Sequence, residues 1–324
     1  MKTSPETAKI CTTGTNTFTA TAADQDNTVL TGSGKDLITV GHGHDTITSG
    51  SGKDTITTGN GNNVVRAGAG ADSVTLGSGF DFLEAGGGND IVKGGAGATP
   101  NYISDSAGDD LIDLDGAANT APDTILSGSG ADTIKSYGGA DFIGAGSGAD
   151  DITSGDGADS VVGGGGNDKV VAGAGNDTVN GGIGKDTLTG GAGSDVLDGG
   201  VSDDTFVVSG SGDQVSGDKI TGGSGTNTIQ LAGNADIVAA FDFDNISDVL
   251  NLVNSTVTAD LDDKRTITFS PIAESTVQTV VVNARTSTDT VTIANNAVSS
   301  TTTFNITSGT ATDLLNGSLG ADTL

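Results

Sequence analysis

The sequence predicts an all-β parallel solenoid in which a tight glycine turn and a short strand repeat every nine residues. Glycine recurs at this spacing, and a carboxylate follows most glycine pairs at a fixed distance, with Asn63 as an exception. An apolar, mainly β-branched residue lies two positions after the carboxylate. β-Branched residues favour strands. Recurring glycine disfavours helices, since each interior glycine costs about 1 kcal/mol relative to alanine.

The glycine spacing sets the register of the repeat. From Gly32 to Gly95 a glycine occurs every nine residues, and a second glycine follows two positions after each of them. Glycine adopts backbone conformations that L-residues avoid and lets neighbouring turns approach closely, so this pattern suits a tight turn. None of the G-x-G strings opens a helix after a predicted strand, which excludes a dinucleotide-binding fingerprint.

The register slips twice and then resumes. About two residues are added near Ala96 to Ala98, a further slip falls near Asp115 to Thr120, and Tyr137 later stands where a glycine is expected. These changes predict six segments: a lead-in (1–30), a first repeat block (31–104), degenerate repeats with insertions (105–127), a second repeat block (128–231), a Thr/Val-rich β region (232–308) and resumed repeats (309–324).

The recurring carboxylates are predicted to form ladders. Two nine-residue units with strands on opposite faces make one flattened coil, so equivalent positions stack about every 18 residues. Asp36 and Asp54 then share one edge, and Asp45 and Asp81 share the other. Adjacent strands lie about 4.8 Å apart, so a bare ladder is strongly repulsive and needs cations between its rungs. The predicted metal ligands are Asp36, Asp45, Asp54, Asp72, Asp81, Asp90, Asp110, Asp132, Asp141, Asp150, Asp159, Asp168, Asp177, Asp186, Asp195, Asp204, Asp218 and Asp322.

Calcium is the cation that such turns favour. It takes about 6–8 oxygen ligands at about 2.3–2.6 Å, and carboxylates with turn carbonyls supply oxygens. Magnesium requires a smaller, more regular octahedron, and zinc prefers nitrogen and sulfur ligands. We therefore expect several Ca2+ ions as the cofactor. One inward apolar residue in nine gives a thin core, so calcium is expected to supply folding free energy.

The repeats resemble the RTX family of calcium-binding nonapeptide repeats. Residues Gly181 to Leu188 and Gly190 to Leu197 closely match its signature, G-G-x-G-x-D-x-U-x, in which U is apolar. The resemblance covers most of 31–231 and all of 309–324. It implies a right-handed parallel β-roll with ions held between coils by aspartates and turn carbonyls. It also implies export by a type I secretion system, and the N-terminus has no apolar segment typical of a cleaved signal peptide.

Composition and motifs disfavour several function classes. With 42 acidic and 13 basic residues, the formal net charge is −29, which disfavours nucleic acids and anionic membranes as partners. No stretch approaches the roughly 18 apolar residues of a membrane span. The single cysteine, Cys11, excludes an internal disulfide. His42 and His44 lie in a turn without converging partners, no catalytic motif appears, and we expect no enzyme activity.

Three functions fit these features. The first is a secreted calcium-binding structural protein that assembles with itself into a surface layer or extracellular filament, because unpaired coil edges invite pairing with another copy. The second is the calcium-folding portion of a larger type I secreted enzyme, toxin or adhesin. The third is an adhesin that binds a cell-surface glycan through the region from Ser255 to Thr307.

Overall fold

The computed structural model describes most of the chain up to residue 255 and short strands beyond it. The described residues are 6–10, 13–20, 25–95, 97–114, 119–209, 218–232, 246–247, 249–255, 266–268, 279–284, 290–292 and 303–308. The chain divides into two compact units, Met1–Ala172 and Gly173–Leu324. Every regular element in these ranges is a strand, and no helix there has the length and apolarity needed to cross a membrane.

The first unit is a parallel β-solenoid of two sheets, and consecutive strands alternate between them. The first sheet contains, in order, β1 (Glu6–Ile10), β3 (Asn27–Leu30), β5 (Thr46–Ser51), β7 (Val64–Ala69), β9 (Phe82–Gly87), β11 (Tyr102–Ser104), β13 (Thr124–Leu126), β15 (Phe142–Ser147) and β17 (Ser160–Gly165). The second sheet contains β2 (Thr17–Ala20), β4 (Leu37–Val40), β6 (Thr55–Thr57), β8 (Ser73–Leu76), β10 (Ile91–Gly94), β12 (Leu111–Asp113), β14 (Thr133–Lys135) and β16 (Asp151–Asp156). The predicted fold class is therefore confirmed.

The second unit has the same alternation. Its first sheet contains β19 (Thr178–Ile183), β21 (Val196–Val201), β23 (Lys219–Thr221) and β25 (Ile246–Ser247), and its second contains β20 (Thr187–Ala192), β22 (Thr205–Ser209), β24 (Asn227–Ala232) and β26 (Val249–Ser255). Strand β18 (Lys169–Ala174) includes the residues at which the two units meet in sequence. In the Thr/Val-rich region, β27 (Thr266–Thr268) pairs in parallel with β29 (Thr290–Thr292), and β28 (Thr279–Ala284) pairs with β30 (Thr303–Ser308).

Strand register confirms a coil of two repeats. In the regular part of the first unit, Ile38 lies opposite Ile56, which is 18 residues further along the chain. The coils at the predicted slips are longer, since Tyr102 lies opposite both Phe82 and Thr124. The paired strands keep the same inward and outward order across these longer coils. A slip of one residue within a strand would instead expose the apolar face.

The core consists of one large apolar side chain per strand and a second inward residue two positions later, which is small in most strands but is leucine at Leu76 and Leu114. The first set includes Ile38, Ile47 and Val65, which are fully buried. The second inward position was not predicted, and it holds residues such as Ala67 and Ser49. The Ser49 hydroxyl donates a 2.7 Å hydrogen bond to the carbonyl of Ala67 one coil later, which satisfies a buried polar group.

The turns need glycine for two reasons. Gly68 has a φ of +107°, and a side chain there would collide with the carbonyl of Gly50 one coil earlier. Tyr137, in a predicted glycine position, has the same left-handed sense with a φ of 74°. Its hydroxyl donates a 2.9 Å hydrogen bond to Asp113. The turn geometry therefore persists where the residue type departs from the repeat.

Candidate metal centre

The predicted metal ligands lie in buried rows, one residue before each strand. In the first unit, the edge of the second sheet carries a row of aspartates from Asp36 to Asp168, which we call the carboxylate row. The edge of the first sheet carries a mixed row that begins at Asn27. In the second unit, Asp177, Asp195 and Asp218 precede first-sheet strands, and Asp186 and Asp204 precede second-sheet strands. All predicted ligands except Asp322, which lies outside the described residues, are at most 3% exposed.

One oxygen of each carboxylate is held by the backbone. The N–H of Asp36 donates to Oδ1 of Asp54 at 2.8 Å, the N–H of Asp54 to Oδ1 of Asp72 at 2.7 Å, and the N–H of Asp72 to Oδ1 of Asp90 at 2.7 Å. Each carboxylate is thus fixed by the residue that occupies the same position one coil earlier. The hydrogen bond that orients each carboxylate is therefore also a contact between two stacked coils.

The second oxygen has no hydrogen-bond donor. The Oδ2 atoms that are buried and accept no hydrogen bond belong to Asp36, Asp45, Asp54, Asp72, Asp81, Asp90, Asp105, Asp110, Asp132, Asp141, Asp150, Asp195 and Asp204. None of these carboxylates has a lysine or arginine partner in the described part of the chain, where ion pairs such as Arg66–Glu84 lie on the exposed surface. A buried anionic oxygen without a partner is strongly destabilising. The rows therefore require a proton or a metal ion.

The pKa values show the same deficit of positive charge. Burial raises the pKa of Asp72 to about 7 and those of Asp81, Asp90 and Asp150 to about 6. Desolvation is the largest cause, and the hydrogen bond from the previous rung opposes it. The charges of neighbouring carboxylates in the row raise the pKa further, as those of Asp90 and Asp54 do at Asp72. A divalent cation would reverse this balance, since it favours the ionised carboxylate.

The turns that face these oxygens fit calcium. A methyl group placed at Gly181 would lie 2.5 Å from Oδ2 of Asp186, so this carboxylate oxygen approaches the first glycine of its own repeat. The carbonyl of Gly50 likewise lies against Gly68 of the next coil, where an added Cβ would collide with it. The available donors are carboxylate and carbonyl oxygens, which are the ligands that Ca2+ prefers. The residues that would hold it are the row aspartates together with the turn carbonyls.

The mixed row contains three amides, Asn27, Asn63 and Asn101, of which only Asn63 was predicted as an exception to the carboxylate pattern. Asn63 donates from Nδ2 to Oδ1 of Asp81 at 2.9 Å, and Asn27 donates to Asp45 at 2.7 Å. Asn101 donates to Asp123, which was not among the predicted ligands although Asp123-Thr124-Ile125 carries the repeat signal. Amide and carboxylate alternate from Asn27 to Asp123, so this edge carries about half the charge of the carboxylate row.

Two features outside the set of predicted ligands are the histidines His42 and His44 and the carboxylate of Asp105. His42 and His44 are exposed, and Nδ1 of His44 accepts a hydrogen bond from the backbone N–H of Asn62 at 3.0 Å. The structure therefore assigns no converging ligands to them among the described residues. Asp105, by contrast, is a buried carboxylate that the predicted set omitted, because it lies outside the nine-residue pattern.

Comparison with known families gives a direct match. The model of the RTX calcium-binding nonapeptide repeat matches 21–56, 48–83, 74–99, 118–152, 145–179, 153–188, 180–215 and 216–240. The matched segments together span 21–99 and 118–240, which is more than half of the chain. The chain belongs to the RTX nonapeptide-repeat family. None of the curated proteins matches it at a significant level.

Membership of the RTX family and the geometry of the rows both indicate calcium binding. The RTX repeat is a calcium-binding unit, which implies Ca2+ as the cofactor of this solenoid. The gap between the matched segments, from 100 to 117, includes the long coil around Tyr102. Assignment of individual aspartates as ligands stays a prediction, which the buried Oδ2 atoms support.

Proposed function

We propose that this RTX protein is secreted, folds outside the cell when it binds Ca2+, and acts there as a structural protein without enzyme activity. The observation that supports this function most directly is the row of buried, donor-free Oδ2 atoms, such as those of Asp36, Asp54 and Asp72. At neutral pH such rows make the metal-free coil unfavourable. Extracellular calcium modules bind their ions at about 10⁻⁴–10⁻³ M, so the chain would remain unfolded at low cytosolic calcium and fold after export.

Calcium-dependent folding is tested by circular dichroism of the full chain. In a chelator at pH 8 the far-UV spectrum should be that of an unfolded chain, and millimolar Ca2+ should restore the β spectrum. Mg2+ at the same concentration is the control, and it should restore less structure because it requires a smaller octahedron and retains its water. Identical spectra in chelator and in calcium would contradict the proposal.

The proposed partner is a second copy of this chain. On the outward face of the first sheet, Val64, Phe82, Tyr102, Thr124 and Phe142 lie opposite one another in consecutive strands. Phe82 and Tyr102 stack with their ring centroids 5.1 Å apart, and Phe142 is 43% exposed. A column of mainly apolar and aromatic side chains on an acidic protein favours contact with another protein surface. Assembly into a layer or filament would use such a face.

Self-assembly is tested by electron microscopy and sedimentation of the purified chain in calcium. Ordered arrays or large species should form with Ca2+, and F142S should reduce them while leaving the circular dichroism spectrum unchanged. T124S, on the same outward face, is the matched control. A strictly monomeric protein at high calcium and high protein concentration would overturn the assembly proposal and leave calcium-dependent folding intact.

A second candidate function is the calcium-folding portion of a larger secreted enzyme, toxin or adhesin. The observation that favours it is the change at the end of the matched repeats. The family match ends at residue 240, and β27 to β30 then pair residues 24 positions apart, a longer coil than that of the RTX units. A glycan-binding activity that is lost when 255–307 is deleted, with the calcium response retained, would support this candidate over the structural one.

A further inference from the structure

Asp105 occupies an inward position that holds small, neutral residues in the other first-sheet strands from β5 to β17. It follows β11, and the register places it beside Ala85 of β9 and Ser127 after β13. The equivalent positions in earlier coils are held by Ser49 and Ala67. Asp105 is only 7% exposed. A carboxylate therefore lies where the neighbouring first-sheet strands carry only a methyl or a hydroxymethyl group.

This carboxylate lies beside two rungs of the carboxylate row. One carboxylate oxygen from each of Asp90, Asp105 and Asp110 lies within 4.8 Å of the other two. Asp90 directly precedes β10, Asp110 directly precedes β12, and Asp105 reaches them from the end of β11 in the opposite sheet. Both sheets of the coil thus contribute to one group of three buried carboxylates.

The three Oδ2 atoms in this cluster have no hydrogen-bond donor. Oδ1 of Asp90 accepts from the N–H of Asp72 at 2.7 Å, Oδ1 of Asp110 from the N–H of Asp90 at 2.7 Å, and Oδ1 of Asp105 from the N–H of Ser106 at 2.6 Å. Oδ2 of each residue is buried and accepts no hydrogen bond. These unpartnered oxygens, on side chains that are more than nine-tenths buried, are an observation separate from the clustering, and they point to a ligand.

We propose that Asp90, Asp105 and Asp110 form a three-carboxylate cation site that binds Ca2+ more tightly than the ordinary positions of the repeat. The identity of the ion rests on the proposed calcium-dependent function, whereas the extra carboxylate is, among the residues that the structure describes, found in this coil alone. Affinity of oxygen sites for Ca2+ rises with the number of charged ligands and with the rigidity of the site. Asp105 adds a charge, and the backbone hydrogen bonds on all three Oδ1 atoms add rigidity.

A proton is the competing occupant of this cluster. Desolvation, with the neighbouring charges of Asp110 and Asp90, raises the pKa of Asp105 to about 8. A protonated Asp105 could donate to a neighbouring carboxylate and leave no requirement for metal. Asparagine imitates that protonated form in shape and in donor capacity. The Asp105→Asn variant therefore separates the two occupants.

The test is titration of the metal-free full chain with Ca2+ against a chromophoric chelator at pH 7.5. The wild-type chain should show a small class of tight sites that fills first. D105N and D105S should lose that class, with its affinity lowered at least about tenfold, while the weaker class remains. S49A, a change in the equivalent position of another coil, is the control, and it should leave the tight class unchanged.

A transplanted carboxylate provides the converse test. S49D places a carboxylate in the core position nearest Asp54, and it should add a second tight site. Equal tight binding by wild type and D105N would overturn the proposed site and support the protonated cluster. Calcium binding by the wild type without any tight class would also overturn it, but would leave the proposed function standing. Absence of all calcium binding would overturn both.

Discussion

Protons should replace calcium in folding this solenoid, because both neutralise the same buried carboxylates. We predict that the metal-free chain, unfolded at pH 8 in a chelator, gains β structure when the pH is lowered to about 4.5. The groups responsible include Asp72, whose pKa burial raises from 3.8 to about 7, and Asp81, Asp141 and Asp150, whose pKa values it raises to about 6. Each of these is nearly fully buried in its row.

The direction in which stability changes with pH follows from the linkage between protonation and folding. Between the unfolded pKa of 3.8 and the raised folded values, the folded state binds more protons than the unfolded state, so its stability falls as the pH rises. Below about pH 4 both states are protonated, and these groups contribute little. Above about pH 7 these carboxylates are ionised in both states, and the folded state bears the full free-energy cost of burying their charges. The metal-free solenoid therefore loses stability across the window from about pH 4 to about pH 7.

The penalty is comparable with the stability of a whole domain. One pKa unit corresponds to about 1.4 kcal/mol, so a carboxylate whose pKa rises from about 4 to about 6 destabilises the ionised fold by about 3 kcal/mol. Screening at the turn reduces this to about 1.5 kcal/mol per group. The five carboxylates with pKa values of about 6 or 7 in the rows then contribute about 8 kcal/mol together. Typical domains are stable by about 5–15 kcal/mol.

The assay is far-UV circular dichroism of the chelator-treated chain from pH 8 to pH 4, with light scattering to exclude precipitation near the isoelectric point. D81N should fold in chelator at a higher pH than the wild type, because one buried charge is removed. D151N, a change at an exposed carboxylate that pairs with Lys169 on the surface, is the matched control and should leave the transition nearly unchanged. A metal-free chain whose β content does not rise on acidification would refute the assignment of the buried rows as the barrier to folding.

Three further predictions test the turns, the core and the mixed row. G68A should destabilise the calcium-bound fold by at least about 2 kcal/mol in urea unfolding, because its φ is positive and a carbonyl blocks the added Cβ, whereas G165A, with nothing near its added Cβ, should change stability by less than about 0.5 kcal/mol. I152A should lower the free energy of unfolding by about 2–5 kcal/mol through the cavity it leaves, and I183A, at a 65% exposed position, by less than about 1 kcal/mol. N63D should shift the acid-induced folding of the metal-free chain to a lower pH, since it replaces an amide donor to Asp81 with another buried charge; an unshifted transition would contradict the proposed role of the amide.

The nine-residue period predicted those features that stacking imposes on every coil. Ile38 lies opposite Ile56, and the N–H of Asp36 donates to Asp54, because equivalent residues must superpose when coils stack. The period could not predict the second inward position, because the buried residues there, such as Ser49 and Ala67, are alike in size but differ in polarity. They therefore give no recurring apolar signal in the sequence. Asp105 escaped prediction for a related reason. The inserted residues before it shift the count, and only the pairing of Ser104 with Glu84 shows that Asp105 faces inward.

The two edges of the first unit differ in their demand for cations, and this difference predicts an order of folding. The carboxylate row presents ionisable rungs continuously from Asp36 to Asp168, so each coil there adds a buried charge. The mixed row places an amide between charges as far as Asp123, and each amide supplies the neighbouring carboxylate with two donors, as Asn27 does for Asp45 through its backbone and side-chain nitrogens. Those contacts form without metal. At sub-saturating calcium the first-sheet edge should therefore acquire hydrogen-exchange protection before the second-sheet edge of the same coils, and the reverse order would show that the amides do not substitute for ions.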